Sequence, residues 1–166
     1  MMDAFGAHSY DARRRIHFGV IMRGSEMADD VQGIVKGKSV TFEKTITSED
    51  IAKFAEISGD TNPLHSDAEY AARTRFNEPI AHGILAAGVI SAALGIRLAP
   101  DSVVIYLKQN LSFRAPVKPG DVLTATVEAI EVDTERSTAT LSTIVTNQDD
   151  TTVIQGDALV LVEPLD

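Results

Sequence analysis

The sequence predicts an α+β domain in which an antiparallel sheet wraps around one long central helix. Three observations carry that reading. Helical patterns come early in the chain and consecutive strand patterns follow. The stretch Gly83–Ile96 carries no charge and is apolar on every side of a helical wheel. Turn chemistry separates each of the later strand patterns from the next.

Taken in order, Val40–Ile46 alternates as a strand does, and Thr47 then opens a helix with Glu49 and Asp50 in its first turn, where carboxylates favour the helix dipole. Ile51, Phe54 and Ala55 supply its buried face. It stops near Ser58-Gly59, because Asp60-Thr61-Asn62-Pro63 is turn chemistry and Pro63 drives Asn62 out of the α region. A short helix follows over Asp67–Arg73. The central helix runs from Gly83 to Leu98, and its Ala and Gly residues allow strands to approach closely. A helix that is apolar all round is expected to be buried all round. Strands follow at Val103–Phe113, Val122–Val132, Thr138–Thr146 and Val153–Val162. The alternation of Thr138–Ile144 gives the sheet one buried and one wetter face. Residues 1–30 lack sustained periodicity and read as a disordered tail, with Met27 a plausible alternative start; residues 31–166 form a single domain.

The 166 residues include no cysteine, which excludes disulfides, thiolate metal sites and cysteine nucleophiles and fits a reducing cytosol. The formal charge of −9 sets aside nucleic acid and anionic membranes as partners. No run reaches the roughly 18 apolar residues of a membrane span. Asp3, Asp11 and Arg13-Arg14-Arg15 interrupt any apolar signal core, so the expected location is cytoplasmic. Charge is uneven, and only residues 73–118 are net positive. Arg73, Arg75, Arg97, Lys108, Arg114 and Lys118 are therefore the candidates for meeting an anionic small molecule, against the ordinary fate of solvated surface charge.

Groups able to do chemistry concentrate between Asp60 and Gly83. Asp60 and His65 flank Asn62-Pro63 on a loop directly after a helix, where a carboxylate and an imidazole can face one cleft and hold a water between them. The competing reading makes Asp60 a helix terminator and His65 a hydrogen-bonded surface residue. Gly83 stands at a helix N-terminus, whose free N–H groups and positive dipole end can polarise a carbonyl; alternatively it only permits close packing. His82 reads as structural, orienting the loop through a ring hydrogen bond. Ser91, two turns into the helix, either back-bonds to a carbonyl or orients a carboxylate. Asp60, His65, Asp67 and His82 could make a two-histidine carboxylate metal set, but the histidines lack helical spacing and no H-E-x-x-H occurs, so no metal is expected. No G-x-G-x-x-G, Walker loop or G-x-S-x-G supports nucleotide-dependent redox, phosphoryl transfer or serine hydrolysis.

The run Phe54-Ala55-Glu56-Ile57-Ser58-Gly59-Asp60-Thr61-Asn62-Pro63-Leu64-His65, followed by Pro79-Ile80-Ala81-His82-Gly83, resembles the MaoC-like (R)-specific enoyl-CoA hydratases, the hydratase 2 group. The resemblance continues through Tyr106–Val117 and Pro119-Gly120-Asp121 and covers roughly residues 40–163. It implies the hot-dog fold and reversible hydration of a trans-2-enoyl thioester to the (R)-3-hydroxyacyl thioester, within fatty-acid or polyhydroxyalkanoate-linked metabolism. By that resemblance Asp60 and His65 hold and activate the water, Asp60 exchanges a proton at the α carbon, and the Gly83 N–H polarises the thioester carbonyl. Asn62 is implied as support for the loop or the water and Ser91 as a partner behind the catalytic groups. No cofactor is implied, since the coenzyme A thioester is substrate, and the working unit is a homodimer. This chain departs from the family at Lys108, where Gly is frequent. The alternatives are a 3-hydroxyacyl-ACP dehydratase using the same residues, a non-catalytic acyl-thioester-binding hot-dog subunit, which usually lacks the acid/base pair, and a hot-dog thioesterase, which generally lacks the D-x-N-P-x-H loop.

Overall fold

The computed structural model describes residues 29–165. The tail reading for residues 1–28 lies outside the described residues; Asp30, where that reading ends, opens a small hairpin of β1 (Asp30–Val31) and β2 (Ile34–Val35). The main sheet comprises β3 (Ser39–Thr45), β4 (Ser102–Phe113), β5 (Val122–Asp133), β6 (Thr138–Thr146) and β7 (Thr152–Pro164). All its pairings are antiparallel and its order is β3-β5-β6-β7-β4. The expected antiparallel sheet around a central helix is what forms, with strand ends within two residues of those read from the sequence.

Helix α1 (Ser48–Ser58) starts at a capping box: the Thr47 hydroxyl accepts from the Asp50 N–H at 3.1 Å, and the Asp50 carboxylate accepts from the Thr47 N–H at 2.9 Å. These bonds and Lys44 hold the Asp50 carboxyl down at about 2. The helix ends at Gly59, whose φ of 76° is the left-handed geometry of a helix stop. Helix α2 (Ala68–Ala71) is capped by the Asp67 side chain, which accepts from the Tyr70 N–H.

Helix α3 (Gly83–Ala92) continues as a π-helical turn, Ala93–Leu98. Ala86, Val89, Ile90, Ala93 and Leu94 are buried and join Ile46, Leu123, Leu141 and Ile154 in the core. The opposite stripe is open, because a five-stranded sheet covers only one side of the helix. Ile84 is 60% exposed, and Gly88, Ser91 and Gly95 lie in line with it. Complete burial of this helix, expected from its composition, is therefore not achieved within one chain.

Beside that stripe runs β4, an edge strand, with Val103, Ile105, Tyr106, Leu107 and Phe113 all exposed. Between Tyr106 and Lys108 the pairing with β7 slips by one residue, leaving Leu107 as a bulge. Strands β4 and β7 approach closely at Gly156, where a Cβ would sit 1.8 Å from the Asn110 carbonyl oxygen. The buried carboxylate of Asp121 accepts from the Lys118 N–H and the Gln148 side chain, tying the turn before β5 to the turn between β6 and β7.

Candidate active site

The stop at Gly59 turns the chain sharply, and the next six residues are shaped by local hydrogen bonds. The Asp60 carboxylate accepts from the Asn62 N–H at 3.3 Å, and the Asn62 side chain accepts from the Leu64 N–H at 3.0 Å. Asn62 thereby caps a single 3₁₀ turn, Pro63–His65, which carries the His65 ring inward. There Nδ1 donates to the Ile80 carbonyl at 2.8 Å. A carbonyl only accepts, so the proton sits on Nδ1 and the Nε2 lone pair is left for the cleft.

His82 is 3% exposed and caps α3 by position, without a side-chain cap bond. Its Nε2 donates to the Asp60 main-chain carbonyl at 3.0 Å, while Nδ1 is buried without a partner. The ring is stacked on His65 with centroids 3.7 Å apart and meets Phe54 in a tilted arrangement with centroids 4.9 Å apart. The loop-orienting hydrogen bond expected of His82 is present, and the stack adds a constraint on His65 that spacing alone does not reveal.

One cleft of about 330 Å³ is lined by Phe54, Ser58, Asp60, His65, His82, Gly83 and Ile84. One side-chain donor atom from each of Asp60, His65 and His82 lies within 4.8 Å of the other two, a separation that one water can bridge. Gly83 is the first residue of α3, so its N–H has no acceptor in the helix and points from the positive end of the dipole. The Phe113 ring lies against it, 2.9 Å from where a Cβ would be, so any larger residue here must displace that ring.

Of the metal donors weighed from sequence, Asp67 is occupied in capping α2, whereas Asp60, His65 and His82 each keep a donor atom within 4.8 Å of the other two, each histidine having one ring nitrogen on a main-chain carbonyl and one free. Ser91 is not brought to this cleft; it lines a groove between α3 and β4 with Ile84, Gly88, Tyr106 and Leu107. Lys108, the departure from the family pattern, follows the bulge at Leu107 in the same groove. Two aromatic residues near the site were missed by sequence reasoning: Phe54, taken only as core, and Phe113, taken only as strand.

The sequence profile of the MaoC like domain matches residues 31–152. This chain belongs to the MaoC-like family. It is 45% identical over 126 residues to the 3-hydroxybutyryl-CoA dehydratase of Methylorubrum extorquens, covering 76% of this chain and 79% of that protein. It is 44% identical over 140 residues to the (R)-specific enoyl-CoA hydratase of Rhodospirillum rubrum, covering 81% of this chain and 96% of that one. Among solved structures, the (R)-hydratase from Aeromonas caviae involved in PHA biosynthesis superposes with a TM-score of 0.74 at 39% identity, over 78% of this chain and 98% of that chain. The MaoC-like fold is thus the hot-dog fold that the D-x-N-P-x-H loop and H-G step implied.

Proposed function

We propose that this chain is an (R)-specific enoyl-CoA hydratase, a hydro-lyase that adds water reversibly to a trans-2-enoyl-CoA. The observation that supports the reading is the cleft lined together by Asp60, His65 and Gly83, with His65 Nδ1 engaged by the Ile80 carbonyl so that Nε2 is the ring nitrogen left to act. The names of the relatives at 44–45% identity support it. Asp60 and His65 hold a water between them. Its oxygen bonds to C3 of the enoyl group while the C2–C3 π pair moves onto C2 as an enolate. The enolate oxygen is stabilised by the Gly83 N–H and the end of the α3 dipole. The proton lost by the water passes to the Asp60–His65 pair, and Asp60 returns a proton to C2, so the pair ends in its starting state. Asn62 and His82 position the loop, and the coenzyme A thioester is substrate, with no cofactor required by any step.

The working unit is a homodimer. The open stripe of α3 and the apolar edge β4 meet in one groove whose small residues, Gly88 and Ser91, let a second chain approach and whose large exposed side chains, Ile84, Tyr106 and Leu107, each gain at most about 1.5–3 kcal/mol when fully buried. An uncovered apolar edge strand of this length would otherwise pair indiscriminately.

Hydration of crotonyl-CoA, followed by loss of the enoyl-thioester absorbance with chiral analysis of the product, tests the proposal. Formation of (R)-3-hydroxybutyryl-CoA is expected. No reaction with crotonyl-CoA or a longer enoyl-CoA, or release of free thiol, overturns it.

A further inference from the structure

Two cavities border the Asp60–His65 pair, and the catalytic cleft is one of them. The other, of about 270 Å³, has a lining that shares only those two residues with the cleft. Helix α1 serves the two cavities with different faces. Ser48, Ile51, Ala52 and Ala55 line the second as a stripe at i, i+3, i+4 and i+7, whereas Phe54 and Ser58, at i and i+4 on another stripe, line the cleft. Of these two cavities only the cleft includes His82 and Gly83. The catalytic pair therefore borders a space in which the residue proposed to hold the thioester takes no part.

Hydration consumes a water in every turnover. A thioester seated at Gly83 occupies the cleft, so a water using the cleft must arrive before the thioester and leave after it. The second cavity removes that constraint. Its only ionisable lining residues are Asp60 and His65, so no cation in it matches the anionic carrier. Ser48, Thr61, Asn62 and Ser66 also line it and supply the polar partners that an ordered water needs, in a volume that admits several waters.

We propose that the second cavity is a water passage, through which water reaches and leaves the Asp60–His65 pair while the thioester stays bound in the cleft; this rests on the hydratase reading. No bond forms or breaks in the passage itself. It delivers the water whose oxygen bonds to C3 and takes that water back when the reaction runs in reverse.

The test is isotope exchange at chemical equilibrium between (R)-3-hydroxybutyryl-CoA and crotonyl-CoA. A heavy oxygen on C3 of the hydroxy thioester is followed by its loss to solvent, and a heavy carbon in its acyl chain by its passage into free crotonyl-CoA. In the wild type the oxygen label is expected to leave at least about fivefold faster than the carbon label, because release of a bound thioester is commonly slower than the chemistry. Ala52 is exposed and lies outside the catalytic groups, so Ala52→Trp fills the cavity without replacing any of them. It is expected to bring the two rates within about twofold of each other while carbon transfer stays within about threefold of wild type, as an intact chemical step requires. Glu56→Trp, on the same helix but lining neither cavity, is expected to keep the wild-type ratio. If Ala52→Trp loses both exchanges, the smaller plug Ala52→Leu decides by the same ratio. Equal rates for the two labels in the wild type overturn the passage and leave the hydratase reading standing. So does an undiminished ratio in the filled variants, and a rise in KM for crotonyl-CoA alongside it assigns the cavity to the substrate instead. No exchange of either label in the wild type overturns the hydratase reading and the passage together.

Discussion

At the scale of single residues, the site rests on where protons are allowed to sit. The Ile80 carbonyl fixes the His65 proton on Nδ1 and the Asp60 carbonyl fixes the His82 proton on Nε2, so the free lone pairs are on Nε2 of half-buried His65 and on the fully buried Nδ1 of His82. Asp60→Asn keeps the loop's shape while removing the charge, and His65→Gln removes the base. Each is expected to lower kcat for crotonyl-CoA hydration by about 10²–10⁴ with the fold intact by circular dichroism; near-wild-type turnover in either would sink the mechanism. That Asp60 and His65 could face one cleft was legible from their spacing across Asn62-Pro63, which is local chemistry, while their proposed roles came only with the family resemblance. The His65–His82 stack was not, because it joins residues from two elements, and neither ring's neighbours can be read from its own segment.

At the scale of elements, two helix N-termini do different work. That of α1 is structural: Asp50 lies well below its ordinary 3.8 in the folded chain, so its contribution is complete above that value and is lost as pH falls through about 2. Asp50→Asn is expected to cost about 1 kcal/mol at neutral pH, measured by urea unfolding, and the difference from wild type is expected to shrink steadily as pH falls from 4 towards 2. That of α3 has no side-chain cap, and its first N–H is the one proposed to meet the thioester. Proline is tolerated at a first helical position, and His82 already has the φ of −61° and ψ of 132° that precede proline. Gly83→Pro therefore deletes the N–H at little cost to the helix, while Gly83→Ala keeps it and adds a similar clash with Phe113. The first is expected to lower kcat about 10²–10³-fold below the second. The caps at Thr47 and Asp67 and the stop at Gly59 were readable because capping is written in adjacent residues. The π-helical turn at Ala93–Leu98 was not, since its apolar sequence is equally good α-helix and packing decides between them.

At the scale of the whole molecule, the central helix shows why composition alone reported more burial than one chain supplies. A helix apolar on all sides signals two coverings, and the sheet of the same chain provides one. The surface left over on α3 and β4 predicts a dimer by sedimentation or light scattering. Leu107→Glu, at the bulge on the exposed edge, is expected to produce monomers with much reduced activity; a fully active monomer would separate assembly from catalysis.

The close approach at Gly156 turns these relations into a matter of heredity. The strand that holds β4 in place does so across a gap that admits no methyl group, because the obstacle is the Asn110 backbone oxygen and not a side chain able to swing away. Gly156→Ala would push β4 outward at a cost of about 1–3 kcal/mol, small enough for the chain to fold when cool and large enough to release the edge strand on warming. A cell carrying that one codon change should behave as a conditional mutant, active at low temperature and losing assembly and activity together as the temperature rises.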